Sequence, residues 1–209
     1  MPVLHRALDE TYPGEVRHNI TKLTLARTAA NACFRFAPAF LATIAGGLGI
    51  SLDRLGVALA ISELSGLLST TTGSVAERLH RRTAMWVGLV GVAMGATLAA
   101  ASTHVVVFTI GLVVLAQFKV MFDLGLGAFM ADRVPFAQRG RVMDITEISW
   151  AGGLLLGVTT MGLVTAATNW RVGYGLGAAA VVAAAAFVAR SVPDDLANQG
   201  HTERREHVA

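Results

Sequence analysis

Charged side chains are scarce in this sequence. Asp, Glu, Lys and Arg make up 15% of its 209 residues, while 54% are hydrophobic. A soluble domain has about 25% charged residues. The charges also cluster in short stretches between apolar runs that approach the ~20 residues needed to cross a bilayer. These features exclude an ordinary soluble domain and indicate an all-α membrane protein with several spans.

Cysteine is almost absent, and the one present, Cys33, excludes an intrachain disulfide and a cysteine-based zinc site. The six histidines are scattered without ligand spacing, so we expect no metal and no cofactor. The net charge of +3 could indicate nucleic acid. We instead attribute the excess to arginines in loops facing the cytoplasm, and expect no nucleic-acid partner. No phosphate loop or nucleophile motif is present, so an enzyme is not expected.

Six apolar runs predict six transmembrane helices within a domain over residues 24–190. They lie at about 26–49, 55–76, 84–102, 105–131, 144–166 and 172–189. The polar segments before and after this domain, residues 1–23 and 191–209, are predicted to be cytoplasmic tails. The Gly153–Gly157 spacing in the fifth run is typical of close helix packing.

Basic residues predict the orientation of these spans. With the N-terminus inside, the outer loops hold only Arg54 and Arg171. The cytoplasmic segments hold thirteen: Arg6, Arg17, Lys22, Arg27, Arg78, Arg81, Arg82, Arg133, Arg139, Arg141, Arg190, Arg204 and Arg205. The positive-inside rule therefore places both termini in the cytoplasm, and the expected location is the plasma or inner membrane.

Beyond the first two residues of each predicted span, five ionisable residues fall inside the membrane, where charge is costly and marks a pathway or a paired network. They are Arg35, Glu63, Lys119, Asp123 and Glu147. Depths counted at about 1.5 Å per residue suggest that Arg35 pairs with Asp123 and Glu63 with Lys119. One carboxylate then stays unpaired and could carry a proton. Glu147 is the first candidate and Glu63 the second.

The polar stretch between the second and third runs carries a recognisable pattern. Its glycine, carboxylate and three arginines are Gly73, Glu77, Arg78, Arg81 and Arg82, with His80 where a second glycine is expected. This pattern resembles the loop between the second and third helices of the major facilitator superfamily. Further similarities are Phe34-Arg35-Phe36 in the first run, Lys119 to Gly127 in the fourth, Asp132 to Arg141, and Glu147 to Trp150.

The resemblance implies a major-facilitator-like half bundle that transports small solutes by alternating access. It also implies that Glu77, the loop arginines and Asp132 form a cytoplasmic gate, with spans one and four lining the substrate cavity. Met121, Phe122 and Phe129 in the fourth span would suit an amphiphilic or zwitterionic solute. Members of the family usually have two six-helix halves. This sequence matches one, so we expect a partner, either a second copy or a separate C-terminal half.

Two functions remain open. The first is a half-transporter working in the lipid bilayer with that partner, with proton coupling as a hypothesis. The second is a truncated or accessory six-span membrane protein that does not transport on its own. An intramembrane enzyme is the least favoured.

Overall fold

The computed structural model describes residue 8 and residues 10–192, and this part of the chain is helical. Its helices are α1 (Gly14–Ala39), α2 (Leu41–Leu48), α3 (Leu52–Leu64), α4 (Ser69–Arg78), α5 (Arg81–Ala101), α6 (Val105–Arg133), α7 (Arg139–Gly152), α8 (Thr159–Ala167) and α9 (Trp170–Ser191). Short distorted segments join α3 to α4 (Ser65–Leu68) and α7 to α8 (Gly153–Val158). Each of these pairs therefore forms one long helical span.

Local sequence signals explain where several helices begin and end. The Asn169 side chain caps α9 by accepting hydrogen bonds from the backbone N–H groups of Arg171 and Val172 at 3.0 and 3.1 Å. Gly49 ends α2 with φ of +65°, a left-handed conformation that glycine adopts without strain. Val134 is extended before Pro135, which ends α6.

Five helical stretches are long and apolar enough to cross a membrane. They are Leu52–Arg78, Arg81–Ala101, Val105–Arg133, Phe136–Ala167 and Trp170–Ser191. They match the second to sixth predicted runs within a few residues, except that the fifth begins earlier. The first predicted run, 26–49, is not among them.

The first run differs from the others because it belongs to α1, which is more polar. Helix α1 also starts earlier than the predicted run. It begins at Gly14, directly after Pro13, and its first turns are packed, with Val16, Ile20 and Leu23 fully buried. Part of the predicted N-terminal tail is therefore helical. The helix breaks at Phe40 and continues as α2. The predicted C-terminal tail falls mainly on residues 193–209, outside the described residues.

Helices α1 and α6 form the centre of the bundle. Helix α6 packs against α5, α3 and α4, while α1 packs against α9, α7, the 153–158 segment and α6. Helix α5 also packs against α9. The α3–α4 and α7–α8 spans therefore flank the central pair.

Glycines allow α5 and α6 to approach until their backbones touch. A methyl group added at Gly95 would lie 2.5 Å from the Leu115 nitrogen, and one at Gly88 would lie 2.6 Å from the Phe122 nitrogen. Gly111 faces the Ala99 nitrogen at 2.8 Å in the same way. Small residues make such close membrane packing possible.

The predicted glycine pair in the fifth span also packs closely. A methyl group at Gly153 would lie 2.8 Å from the Asn31 Cβ, and one at Gly157 would lie 2.4 Å from the Ala32 Cβ. Both glycines lie in the 153–158 segment, which has the wider turns of a π-helix. The prediction of a close-packing face is confirmed, and its partner is α1.

Three contacts place the arginine-rich segments at one end of the bundle. Arg133 at the end of α6 bonds to Glu15 at the start of α1 at 3.0 Å. Arg82 at the start of α5 donates to the Ala189 carbonyl near the end of α9. Lys22 of α1 donates to the Ser191 hydroxyl at 3.0 Å. This basic end carries residues 73–82, which form the end of α4, a two-residue turn and the start of α5, together with the end of α9.

Replacing Gly95 with alanine should destabilise the bundle by about 1–3 kcal/mol, because the added methyl group forces α5 and α6 apart. Gly175→Ala in α9 is the matched control, since nothing lies within 4 Å of a methyl group there. Thermal unfolding in detergent compares the two. Equal midpoints for both variants would show that the α5–α6 contact is not tight.

Candidate functional site

Arg27 joins three helices through two carboxylates. From α1, its Nε lies 3.1 Å from the Asp123 Oδ1 of α6, and its Nη1 lies 2.6 Å from the Glu147 Oε1 of α7. The Arg27 side chain is 13% exposed, whereas Asp123 is 29% exposed and Glu147 is 55% exposed. Arg27 therefore forms the inner side of an ion-pair network whose acidic partners face outward.

Lys119 extends this network along α6. Its Nζ lies 2.6 Å from the other oxygen of Asp123, and the lysine side chain is only 8% exposed. The two residues are four apart on one helix face, as their spacing predicts. Asp123 thus receives one basic group on each oxygen.

Arg35 stacks on an aromatic ring and has no carboxylate partner among the described residues. Its guanidinium carbon lies 4.3 Å from the Trp150 ring centre and 5.5 Å from that of Phe34. Its Nε is buried without a hydrogen-bond acceptor in the part of the chain described. Lys119 Nζ lies 5.7 Å from the same Trp150 ring. Arg35 and Lys119 therefore share one aromatic surface, and Arg35 keeps hydrogen-bonding capacity unused.

We define the charge cluster as Arg27, Arg35, Lys119, Asp123 and Glu147. It contains three cations and two carboxylates. A polar contact beside it joins the same helices, since the Asn31 amide of α1 donates to the Ser149 hydroxyl of α7 at 3.2 Å. The cluster can hold an anionic group, because one positive charge is left uncompensated.

The structure pairs these residues differently from the depth-based prediction. Asp123 bonds to Arg27 and Lys119, so the pairing of Arg35 with Asp123 is wrong. Lys119 likewise pairs with Asp123, and the pairing with Glu63 is wrong. Glu147 bonds to Arg27, so it is not the unpaired acid. Depth along a helix does not determine which face a side chain occupies, and the pairing depends on that face.

Arg27 is the site residue that the sequence analysis missed, because it was counted among the cytoplasmic basic residues. The sequence does contain a signal that Arg27 belongs to the site, because Arg27, Asn31 and Arg35 follow each other at four-residue intervals. Residues at this spacing lie on one helix face. That face of α1 is the one turned toward α6 and α7.

Glu63 lies away from the cluster, on α3. It is exposed and forms no ion pair with any described residue. Leu64, Leu67 and Leu68 beside it are 63%, 78% and 54% exposed. Glu63 is therefore a carboxylate on an apolar face of the half bundle.

The gate-motif residues are brought partly together at the basic end. Arg81 Nε lies 2.8 Å from the Asp132 Oδ2, which ties the start of α5 to the end of α6. Gly73, Glu77 and Arg81 line a cavity of about 320 Å³ between α4 and α6, and Asp123 lines it too. Arg78 is exposed and Arg82 bonds to α9 instead.

The structure leaves room at Gly73 and separates the expected cavity residues of the fourth span. A methyl group at Gly73 would lie 3.7 Å from the Leu124 side chain, an ordinary contact, so no close backbone approach requires glycine there. Phe122 and Phe129 are fully buried and form core rather than cavity lining, so the expectation for these two is wrong. Met121 is 5% exposed and lines a small cavity of about 230 Å³ beside Thr72 and Gln117.

Gln117 of α6 is a further polar contact inside the spans. It donates to the Ser65 carbonyl at 2.5 Å and accepts from the Thr72 hydroxyl at 2.8 Å. These bonds occupy a carbonyl in the distorted segment between α3 and α4. No group of three or more His, Cys, Asp or Glu side chains able to hold a metal is found among residues 8 and 10–192.

Comparison with known proteins supports the family resemblance that the sequence motifs indicate. A family model described as the Major Facilitator Superfamily matches residues 23–208. No curated protein matches the sequence significantly.

Several solved structures share the fold. A crystal structure of a mutant of the peptide transporter POT is similar with a TM-score of 0.72 at 13% identity, covering 98% of this chain and 46% of that one. The peptide transporter POT in complex with sulfate gives a TM-score of 0.68 at 15% identity, covering 91% and 43%. At such identities the likeness concerns the fold alone. The chain spans less than half the length of these transporters.

Removing the charge of Arg27 should weaken the contact between α1, α6 and α7. We expect Arg27→Gln to lower the free energy of unfolding by about 1–3 kcal/mol, since two charge-assisted hydrogen bonds are lost. Thermal unfolding of Arg27→Gln, Glu147→Gln and the double variant measures the coupling. It should be about 1 kcal/mol, because Glu147 is half exposed.

Arg54→Gln, at an exposed position before the middle of α3, is the charge-matched control and should leave stability unchanged. Strict additivity of Arg27→Gln and Glu147→Gln would mean that the bond between them contributes nothing.

Proposed function

The chain belongs to the Major Facilitator Superfamily, and we propose that it is one half of a transporter that moves small solutes across a membrane by alternating access. The shared fold and the apolar helical stretches make it a multi-pass membrane protein. The rest of the proposal depends on one observation. Asp123 and Glu147 stay 29% and 55% exposed on a membrane-spanning bundle.

Exposed carboxylates inside a membrane need either protein or water beside them. A charge facing lipid is costly, and intramembrane charges almost always face the bundle interior or an aqueous cavity. The charge cluster lies on α1, α6 and α7, on a side that the half bundle leaves open. The proposed second half covers this side and leaves a solute-sized aqueous space between the halves.

The flanking spans favour such a partner. Only 17% of the residues in the most apolar window of Leu52–Arg78 are buried, and 28% in that of Phe136–Ala167. The other spans have 39–56% buried. Exposed leucines on both, including Leu67 at 78% and Leu155 at 71%, would pack against the second half. That half is a second copy or a separate C-terminal chain.

The number of spans and their orientation in the membrane are part of the same proposal. We infer that α1 and α2 together form a sixth span, in which the ion-paired Arg27 and the Arg35 stacked on Trp150 account for the low hydropathy. The arginines of the basic end favour a cytoplasmic location for it by the positive-inside rule, and we propose that both termini lie on that side.

The proposed roles within the site follow from unused bonding capacity. Arg35 and Lys119 on the Trp150 ring bind an anionic group of the solute, such as a carboxylate. Arg81 and Asp132, with Glu77 beside them, form the cytoplasmic gate. Glu63 replaces Glu147 as the proposed proton carrier, because it has no ion pair with any residue that the structure describes and lies on the face that the partner would cover.

Arg35→Gln should reduce uptake of a transported anionic solute by about 10–100-fold, which corresponds to one lost charge-assisted hydrogen bond. Uptake into proteoliposomes of a panel of small carboxylates, amino acids and dipeptides measures it. Arg35→Lys should retain part of the uptake, since the charge remains without the stacked guanidinium. Arg54→Gln is the control. Normal uptake by Arg35→Gln would show that Arg35 does not bind the solute.

Glu63→Gln should abolish solute-dependent proton uptake while leaving downhill solute exchange intact. A pH-sensitive dye inside the proteoliposomes measures the proton flux. Asp53→Asn, on the same helix but exposed near its start, is the matched control. Undiminished proton flux in Glu63→Gln would exclude Glu63 as the carrier.

The partner is tested by cross-linking in native membranes. Leu67→Cys or Leu155→Cys should give a cross-linked product with the mass of two halves, whereas Met94→Cys on the outer surface of α5 should not. Background is low because Cys33, the chain's only cysteine, is buried. A protein that stays monomeric and transports nothing would support the accessory function instead.

A further inference from the structure

A groove runs between α1 and α9 on the outside of the half bundle, with a volume of about 580 Å³. Its floor consists of small residues, among them Ala26, Ala29 and Ala184. Leu25 and Phe187 form its walls and are 61% and 60% exposed. The small floor and large walls suit an alkyl chain lying along the helices, over a length of about 10 Å.

One end of the groove is polar and basic. His18, Thr21 and Lys22 line it. The Lys22 Nζ donates to the Ser191 hydroxyl at 3.0 Å and lies 3.4 Å from the His18 Nε2. An ammonium group has three N–H donors. These two contacts therefore leave at least one donor of Lys22 for a ligand.

The polar end of the groove lies at the basic end of the bundle. The basic residues there are Arg17, Lys22, Arg78, Arg81, Arg82, Arg133, Arg139, Arg141 and Arg190. Glu15, Glu77, Asp132 and Asp144 are the acidic residues near the same helix ends. The excess of positive charge attracts anionic headgroups to this end.

A second outer groove provides an internal comparison. It has a volume of about 750 Å³ between α5 and α9, and Trp86, Met94 and Ala186 are among its lining residues. The described residues that line it include no charged side chain. The two grooves therefore differ in charge, although both are apolar along their length and both use α9.

We propose that the α1–α9 groove binds an anionic phospholipid. The phosphate accepts hydrogen bonds from Lys22 and from His18 or Thr21 at the basic end, and one acyl chain lies over the alanine floor. The headgroup thereby binds at the start of α1, next to the end of α9, which Lys22 already joins through Ser191. The inference does not depend on transport activity or on a second half.

Native mass spectrometry of the full chain tests the proposal, with phosphatidylglycerol and phosphatidylcholine of identical acyl chains as probes. We expect the protein to retain one phosphatidylglycerol in preference to phosphatidylcholine. Lys22→Gln should reduce that preference about fivefold, the effect of one basic residue near the headgroup. Lys22→Arg should restore it.

A second variant separates lipid binding from a structural role of Lys22. Ala183→Leu fills the groove without changing charge and should also remove the retained phosphatidylglycerol. Ala186→Leu, on the same helix but in the uncharged groove, should leave it in place. Equal retention of the two lipids by the wild type, or unchanged preference in both Lys22→Gln and Ala183→Leu, would overturn the proposal. A dimer that only Ala183→Leu dissociates would identify the groove as a protein interface and also overturn it.

Discussion

The contact on which the site depends is the double ion pair of Arg27. One guanidinium holds Asp123 of α6 and Glu147 of α7, so α1 meets two helices from far along the chain at one point. Loss of the Arg27 charge leaves Glu147 without its cation and Asp123 with Lys119 alone, in a membrane-spanning bundle where an unpaired charge is costly. The position of Arg27 therefore determines which face of α1 points inward.

Close packing and the charge cluster support each other. Gly153 and Gly157 bring the α7–α8 span against α1, and this approach allows Asn31 to reach Ser149 and Arg35 to reach Trp150. On the other side, glycines let α5 and α6 touch, and α6 carries Lys119 and Asp123. Small residues thus set the helix separations, and the polar groups then set the rotation of each helix.

The cluster and the outer groove concern two different surfaces of the half bundle. The charge cluster faces the side that the proposed partner covers, while the groove between α1 and α9 lies outside and ends at Lys22. Both use α1, which is polar over its first turns and carries Arg27 and Arg35 further along. This composition explains why α1 is less apolar than the five helical stretches that could cross a membrane.

The sequence alone determined the class of protein, five of the predicted spans, the Lys119–Asp123 proximity and the Gly153–Gly157 packing face. Each depends on local spacing or on composition, and these are visible in one chain segment. Only the tertiary structure decided that Arg27 pairs with Asp123 and Glu147, that Arg35 stacks on Trp150, and that Phe122 and Phe129 are buried. These contacts depend on how helices far apart in sequence rotate against each other, and hydropathy contains no information about that rotation.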